Sequence, residues 1–281
     1  MITPLAPHPA AMLKSGEHRI LVIADLHIGW EVALSNEGIH VPSQTPKLTK
    51  KLVEILEEHK PEKLLIIGDV KHTVATAEKI EWQDVPEFFT EIRRHVPEIM
   101  VIRGNHDGNL DPLLPENIKT LPATGAVIGD TGFFHGHQWP SPELLGCKIL
   151  VMGHVHPVIA FRDRAGFRSI RPVWAKMSID PTELTRAILR RNKIKTTGTA
   201  EDALYEKYNV RPKANQLFIM PSFNEFLGGK PLNAKRPKNK LDSEKVAGPI
   251  LRSGAVALEK AETYLLDGTV LGTIEQLRAF S

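Results

Sequence analysis

Five short polar clusters carry the residue types that could do chemistry: Asp25-Leu26-His27, Gly68-Asp69, Gly104-Asn105-His106-Asp107, His135-Gly136-His137 and Gly153-His154-Val155-His156. Carboxylate and amide oxygens mixed with imidazole nitrogens suit borderline divalent cations such as Mn²⁺, Fe²⁺ or Zn²⁺. Cysteine is absent from all five clusters, which argues against a structural zinc knuckle. Taken singly, each cluster reads as polar residues capping a turn; taken as an ordered set, they read as a metal site. Glycines beside several of the candidate ligands let the backbone turn sharply and keep space open for substrate. His135 and His137 compete for one ligand place, and His135 is preferred because it directly ends a strand-like lead-in.

Elements with the right periodicity lie where such a site needs them. Residues 20–24, 64–67 and 99–102 are apolar runs rich in β-branched side chains and read as buried strands, each ending at a polar cluster. Between them, 46–59 places Leu48, Leu52, Ile55 and Leu56 on one helical face, and 86–95 does the same with Phe88, Phe89 and Ile92. Further short strands are predicted at 126–128, 132–135, 149–152, 158–161 and 166–170, with gaps too small for helices. Such an α/β opening followed by a β-rich half predicts two packed sheets covered by helices. Ligands of an open α/β sheet gather at the carboxyl ends of its strands, so the five clusters should converge on one edge. From 175 to 215 the pattern turns helical, with Pro181 at a first helical position, and reads as a helical insertion within a single domain spanning 1–281. A strand signal returns at 216–220. Residues 228–248 read as a basic loop free to be mobile, and strand-like pieces at 255–258, 263–266 and 270–273 close the chain, the last two joined by an Asp267-Gly268 turn.

The ordered set D-x-H, G-D, G-N-H-D, H and G-H-x-H resembles the calcineurin-like metallophosphoesterase superfamily over about residues 19–158. A narrower likeness covers nearly the whole chain. The stretch Ile23-Ala24-Asp25-Leu26-His27-Ile28-Gly29-Trp30-Glu31 is similar to the predicted phosphoesterases related to the SbcD nuclease. So are His40-Val41-Pro42-Ser43-Gln44-Thr45, His135-Gly136-His137-Gln138-Trp139-Pro140 and Pro221-Ser222-Phe223-Asn224. The resemblance implies a four-layer α/β/β/α sandwich holding two divalent metal ions, with Mn²⁺ favoured and Fe²⁺, Zn²⁺ or Ni²⁺ as alternatives. It assigns one metal to Asp25, His27 and His156 and the other to Asn105, His135 and His154, with Asp69 bridging both. A metal-bridging hydroxide would attack the phosphoester. His106 would protonate the leaving oxygen, with Asp107 orienting it. Many relatives carry an Asp three residues after the bridging one, where this chain has His72. Arg103, His137, His72, His40 and Asn224 are candidates for substrate contact, Gln44 and Trp139 are further residues specific to the group, and Glu31 supports the site from behind.

The implied activity is hydrolysis of phosphodiester bonds, with DNA or RNA as the expected substrate and a helicase as an expected partner. A phosphomonoesterase or nucleotide hydrolase acting on small molecules is the first alternative, and a non-catalytic helicase-associated scaffold is the second. Net charge does not choose among them: 36 Lys and Arg against 33 Asp and Glu leave only +3. Local charge favours nucleic acid, since 175–215 holds nine basic residues against five acidic ones and Lys235-Arg236-Pro237-Lys238-Asn239-Lys240 adds a second run. Cys147 is the single cysteine, so no intrachain disulfide forms, and a buried, unreactive thiol in the cytoplasm is expected. Neither a secretion signal nor a membrane span is predicted.

Overall fold

The computed structural model describes residues 1–195, 198–234 and 248–280. Its first sheet runs in chain order: β1 (Ile2–Pro4), β2 (Ala11–Ser15), β3 (His18–Ala24), β4 (Lys63–Ile67), β5 (Glu98–Ile102) and β6 (Lys119–Leu121). Strands β1 to β3 are antiparallel, and β3 to β6 are parallel. The second sheet takes the spatial order β14 (Val270–Thr273), β13 (Glu262–Leu265), β11 (Arg168–Ser178), β12 (Gln216–Ile219), β9 (Ile149–Met152), β8 (Thr131–Phe134) and β7 (Ala126–Ile128). Strand β10 (Val158–Arg162) lies outside that path, pairing with β11 and making one bridge, Val158 to Pro231.

Side-chain alternation sets the layers, because successive residues of a strand point to opposite faces. In β3, Leu21 and Ile23 join one core while Ile20, Val22 and Ala24 join another; Leu64 and Ile66 of β4 divide from Leu65 and Ile67 in the same way. The outer core packs against α2 (Thr45–His59) and α3 (Lys79–Ile92). The inner core meets the second sheet at Phe133, Val151, Trp174 and Met220. Leu150, Met152, Leu217 and Ile219 then face outward again onto α4 (Pro181–Arg191) and α5 (Ala200–Tyr208). Helices, sheet, sheet, helices: the four layers predicted from the sequence are present, and central strands such as β4 and β9 bury both faces.

Several element boundaries differ from the sequence reading. Helix α3 begins at Lys79, seven residues before the expected start, because Glu78 and Glu81 form a capping box and Pro86 is carried inside the helix. Its buried face, Val85, Phe88, Phe89 and Ile92, outweighs the hydrogen bond that Pro86 forgoes. Strand β11 runs on to Ser178, past the expected onset of helix at 175, because its second half pairs with both β12 and β13. Helix α4 does start at Pro181, behind the N-cap Asp180, whose side chain accepts from the backbone N–H groups of Thr182 and Glu183. The piece at 255–258 is not a strand; Val256 makes one bridge to Ile179, and a 3₁₀ turn follows at Leu258–Lys260. Strands β1, β2 and β6 and the short helix at Glu31–Asn36 were not legible as periodic patterns. The basic run 235–240 and most of the loop expected at 228–248 lie outside the described residues. Among those residues, no helix is long and apolar enough to cross a membrane.

Candidate metal centre

Register brings the polar clusters together. Ala24 pairs with Ile67 and Ile67 with Ile102, so Asp25, Asp69 and Asn105 all begin just beyond one edge of the first sheet. Phe134 pairs with Met152 in the parallel second sheet, which places His135 and His154 just past the matching edge. Hydrogen bonds stitch the two edges: Asp25 accepts from the backbone N–H of His154 at 3.0 Å, and His135 Nδ1 lies 3.3 Å from the Ile67 carbonyl.

Asp69 sits between the two donor sets. Its Oδ2 lies 3.4 Å from His27 Nε2 and 3.2 Å from His135 Nε2, while Oδ1 accepts from the His106 backbone N–H at 2.9 Å. On the His27 side, Asp25 Oδ2 lies 3.7 Å from His156 Nε2, and Asp25, His27 and His156 can offer one ligand atom each within 4.8 Å of one another. On the other side Asp69, His135 and His154 form a second such group, and Asn105 Oδ1 adds an oxygen 3.2 Å from His135 Nε2. His135, not His137, therefore stands with Asp69 and His154. The donors fit divalent cations: the buried Nε2 atoms of His27 and His156 face carboxylate oxygens yet have no hydrogen-bond partner. Imidazole lone pairs left in this way, beside carboxylates, are what metal ligation uses.

The backbone is bent to make this possible. Asp25, His27, Asp69, His154 and His156 all have positive φ, between 45° and 69°. For residues with a Cβ this costs roughly 1–3 kcal/mol each and persists only where neighbours fix it. The neighbours are identifiable. Ser222 Oγ donates to the Asp25 carbonyl at 2.8 Å, Asn224 Nδ2 to the Leu26 carbonyl at 2.9 Å, and the Phe223 N–H to the Ala24 carbonyl at 2.7 Å. The glycines make room for ligands, a role different from the expected clearance for substrate. A Cβ on Gly104 would stand 2.1 Å from Asp69 Oδ1, and one on Gly68 would stand 2.1 Å from His135 Nδ1.

Protonation follows from burial and neighbouring charge. Burial lowers His27 to about 3 and His154 to about 4, the latter helped by the positive charge of His135, so both imidazoles are neutral at pH 7 and able to ligate. Burial opposes charge on His135 too, but the Asp69 carboxylate overcomes it and raises His135 to about 9. Burial likewise works against ionised Asp69, and His135 prevails, holding that carboxyl far below its usual range.

Other predicted residues take roles that differ from expectation. Asp107 is buried, and its two oxygens accept from the backbone N–H groups of Val70 at 2.8 Å and Gly104 at 2.7 Å. It ties the Asp69 loop to the Asn105 loop and does not orient His106, whose Nδ1 pairs with the His72 carbonyl. Burial and the nearby Asp69 charge push Asp107 up to about 6. His72 Nδ1 lies 3.2 Å from His27 Nδ1, so it steadies a candidate ligand from behind. Asn224 is wholly buried with its amide spent on backbone groups, Arg103 is paired with Asp111, and exposed His40 is hydrogen-bonded to Ser35 Oγ. None of these three is placed as a substrate contact by its partners. His137 lies beside the centre, its ring 5.2 Å from that of His135, and burial lowers it to about 4. Glu31 accepts from the Gln44 backbone N–H, bracing the loop behind the site, and Trp139 packs on the outer core of the second sheet.

Glu81 escaped the sequence reading. It is buried on α3, and its Oε1 accepts from the N–H groups of His72 at 2.9 Å and Thr73 at 2.7 Å, fixing the loop that carries His72. The E-x-x-E spacing of its capping box was the available signal. Lys71, wholly buried next to it, turns its ammonium back onto the Thr73 and Thr76 carbonyls of the same loop, and no sequence pattern announced that.

The family model for calcineurin-like phosphoesterases matches residues 18–195. Among solved structures, the chain is similar to the nuclease MPE of Pseudomonas putida, at 20% identity and a TM-score of 0.49, over 96% of this chain and 100% of that one. YfcE, a phosphoesterase from E. coli, is similar at 22% identity and a TM-score of 0.32, over 51% of this chain and 73% of that one.

Proposed function

The chain belongs to the calcineurin-like phosphoesterase family, and from that premise we propose that it is a two-metal phosphodiesterase, favouring Mn²⁺, whose substrate is nucleic acid. Asp69 Oδ2 carries the reading, because one carboxylate oxygen within 3.4 Å of His27 Nε2 and 3.2 Å of His135 Nε2 faces both donor sets at once. Asp25, His27 and His156 would hold one cation, Asn105, His135 and His154 the other, and Asp69 would share itself between them. Bound there, divalent cations supply the Lewis acidity that polarises a phosphoryl oxygen and acidifies water. Oxygen and nitrogen donors without thiolate support Mn²⁺.

His106 is the residue suited to proton transfer. Its Nδ1 is engaged by the His72 carbonyl, which leaves Nε2 as the atom that holds and releases a proton to the departing oxygen. His72 and Glu81 keep it in place, the first through its carbonyl and the second by fixing the backbone that carries that carbonyl. Turnover of bis-p-nitrophenyl phosphate against p-nitrophenyl phosphate, with each divalent metal, tests the reading. Mn²⁺-dependent preference for the diester is expected; preference for the monoester would make the chain a phosphomonoesterase instead.

A further inference from the structure

We propose that the β10–β11 hairpin is an arm that grips a single-stranded stretch of nucleic acid beside the metal centre. The inference rests on the phosphodiesterase reading above and deepens it by naming how the substrate strand is held. Strand β11 is 11 residues long, but only Val173–Ser178 lies in the sheet; Arg168 to Pro172 pair with β10 alone. The arm thus leaves the sheet at Pro172, and β10 starts two residues after the candidate ligand His156. Val158, Ile159 and Ala160 are buried at its base, where Asn233 bonds to both backbone groups of Ala160, so the exposed part runs from Arg162 to Arg171. Ala175 is level with Ile219 and Ile219 with Met152, so Arg168–Pro172 extends past the sheet edge that carries His154.

The composition of the arm fits a polyanion. Arg162, Arg164, Arg168 and Arg171 face a single acidic residue, Asp163, whose Oδ1 is occupied by the Phe167 backbone N–H at 2.9 Å. None of the four arginines has a carboxylate within 4.0 Å among the described residues. In the helical basic segment Arg186 pairs with Glu183 at 2.6 Å and Arg211 with Glu201 at 3.4 Å, while Arg190 and Arg191 have no carboxylate within 4.0 Å among the described residues. Arg162 and Arg168 are direct cross-strand partners, an arrangement that weakens a hairpin unless an anion lies between them. Nothing in folding asks for it. At the tip, Phe167 is 78% exposed, an aromatic face offered to solvent amid the cations. Arginines for the phosphates with a ring for an unpaired base is the pairing that binds single strands.

Fluorescence anisotropy of a labelled 20-nucleotide single-stranded DNA with the full chain in EDTA tests the arm without hydrolysis. The triple variant R162Q/R164Q/R168Q should weaken binding at least about tenfold and reduce the salt slope by about 2, as expected for three lost phosphate contacts on a single strand. Phe167→Ala should weaken it at least about fivefold with the slope unchanged. Both should hydrolyse bis-p-nitrophenyl phosphate at the parental rate, since none of the substituted residues is a candidate metal ligand or proton donor. Oligonucleotide binding unaltered in both variants would overturn the arm while leaving the phosphodiesterase reading intact. A parental chain that hydrolyses the small diester but binds no oligonucleotide would overturn the nucleic-acid substrate itself. Co-sedimentation with phosphatidylserine-containing vesicles, lost in the same variants while oligonucleotide binding persists, would make the arm a membrane contact and also defeat the proposal.

Discussion

The edge that carries the candidate metal ligands and the β10–β11 arm are joined through the single residue Pro157, yet they are built on opposite principles. At the edge, side chains are buried, five backbone positions are held at positive φ, and neighbouring strands, the 221–224 loop and α3 all fix the same few residues. On the arm, beyond a base clasped by Pro231 and Asn233, one strand pairs with one other, and like charges face each other across the ladder. On the function proposed here, the difference separates what reaction requires from what capture requires. Cations need donors placed to a few tenths of an ångström, so strain is tolerated and over-determined there. A flexible polymer needs only charge and a stacking surface, and adaptability does no harm.

The contrast can be broken most severely at the shared carboxylate. Asp69→Ala should bring diester turnover below detection and lower bound metal, measured by elemental analysis of the purified chain; normal turnover would sink the two-metal reading. Next comes Gly104→Ala, whose added Cβ would collide with Asp69 Oδ1. We expect metal-dependent activity to be lost and thermal denaturation to show destabilisation of about 1–3 kcal/mol, the usual cost of overpacking. Asn224→Ala leaves the backbone hydrogen bond to the Asp25 carbonyl in place but removes the side-chain clamp on the Leu26 carbonyl. A drop of about 10–100-fold in metal affinity or activity is expected, as for other groups that hold ligands from behind.

pH should act on the two regions unequally. In the metal-free chain His135 is raised to about 9, so its contribution to stability is complete below pH 6.5 and is lost as pH rises toward 9. His27, lowered to about 3, and His154, lowered to about 4, act in reverse: the unfolded chain takes up their protons below pH 6.5 and draws the equilibrium toward unfolding. The melting temperature without metal should therefore peak close to pH 6.5 and fall on both sides. Arginines do not titrate in this range, so oligonucleotide binding by the arm should stay level from pH 7 to 9. The smallest effect is on the arm itself. Arg168→Thr removes one of two opposed charges and should stabilise the chain by about 0.2–1 kcal/mol in denaturant titration; destabilisation would show that the arm is held by contacts its charges do not reveal.

The sequence alone determined the layered α/β architecture and the positions of the chemical clusters. Apolar runs such as 64–67 have room for little but a strand buried on both faces, and a polar residue at the end of a buried strand has only the sheet edge to occupy. The resemblance of the ordered motifs to the calcineurin-like family supplied the candidate donor set. Tertiary structure decided everything that depends on partners distant in the chain. It set His135 Nε2 3.2 Å from Asp69, and it gave Asp107 and Asn224 backbone groups as hydrogen-bond partners. It made Gly68 and Gly104 seats for His135 and Asp69, and it set Glu81 behind His72. It also raised an arm from a stretch whose sequence reads only as two short strands, 158–161 and 166–170. Hydrophobic periodicity is a local property, whereas the use of a hydrogen-bonding group is settled by whatever the fold brings opposite it.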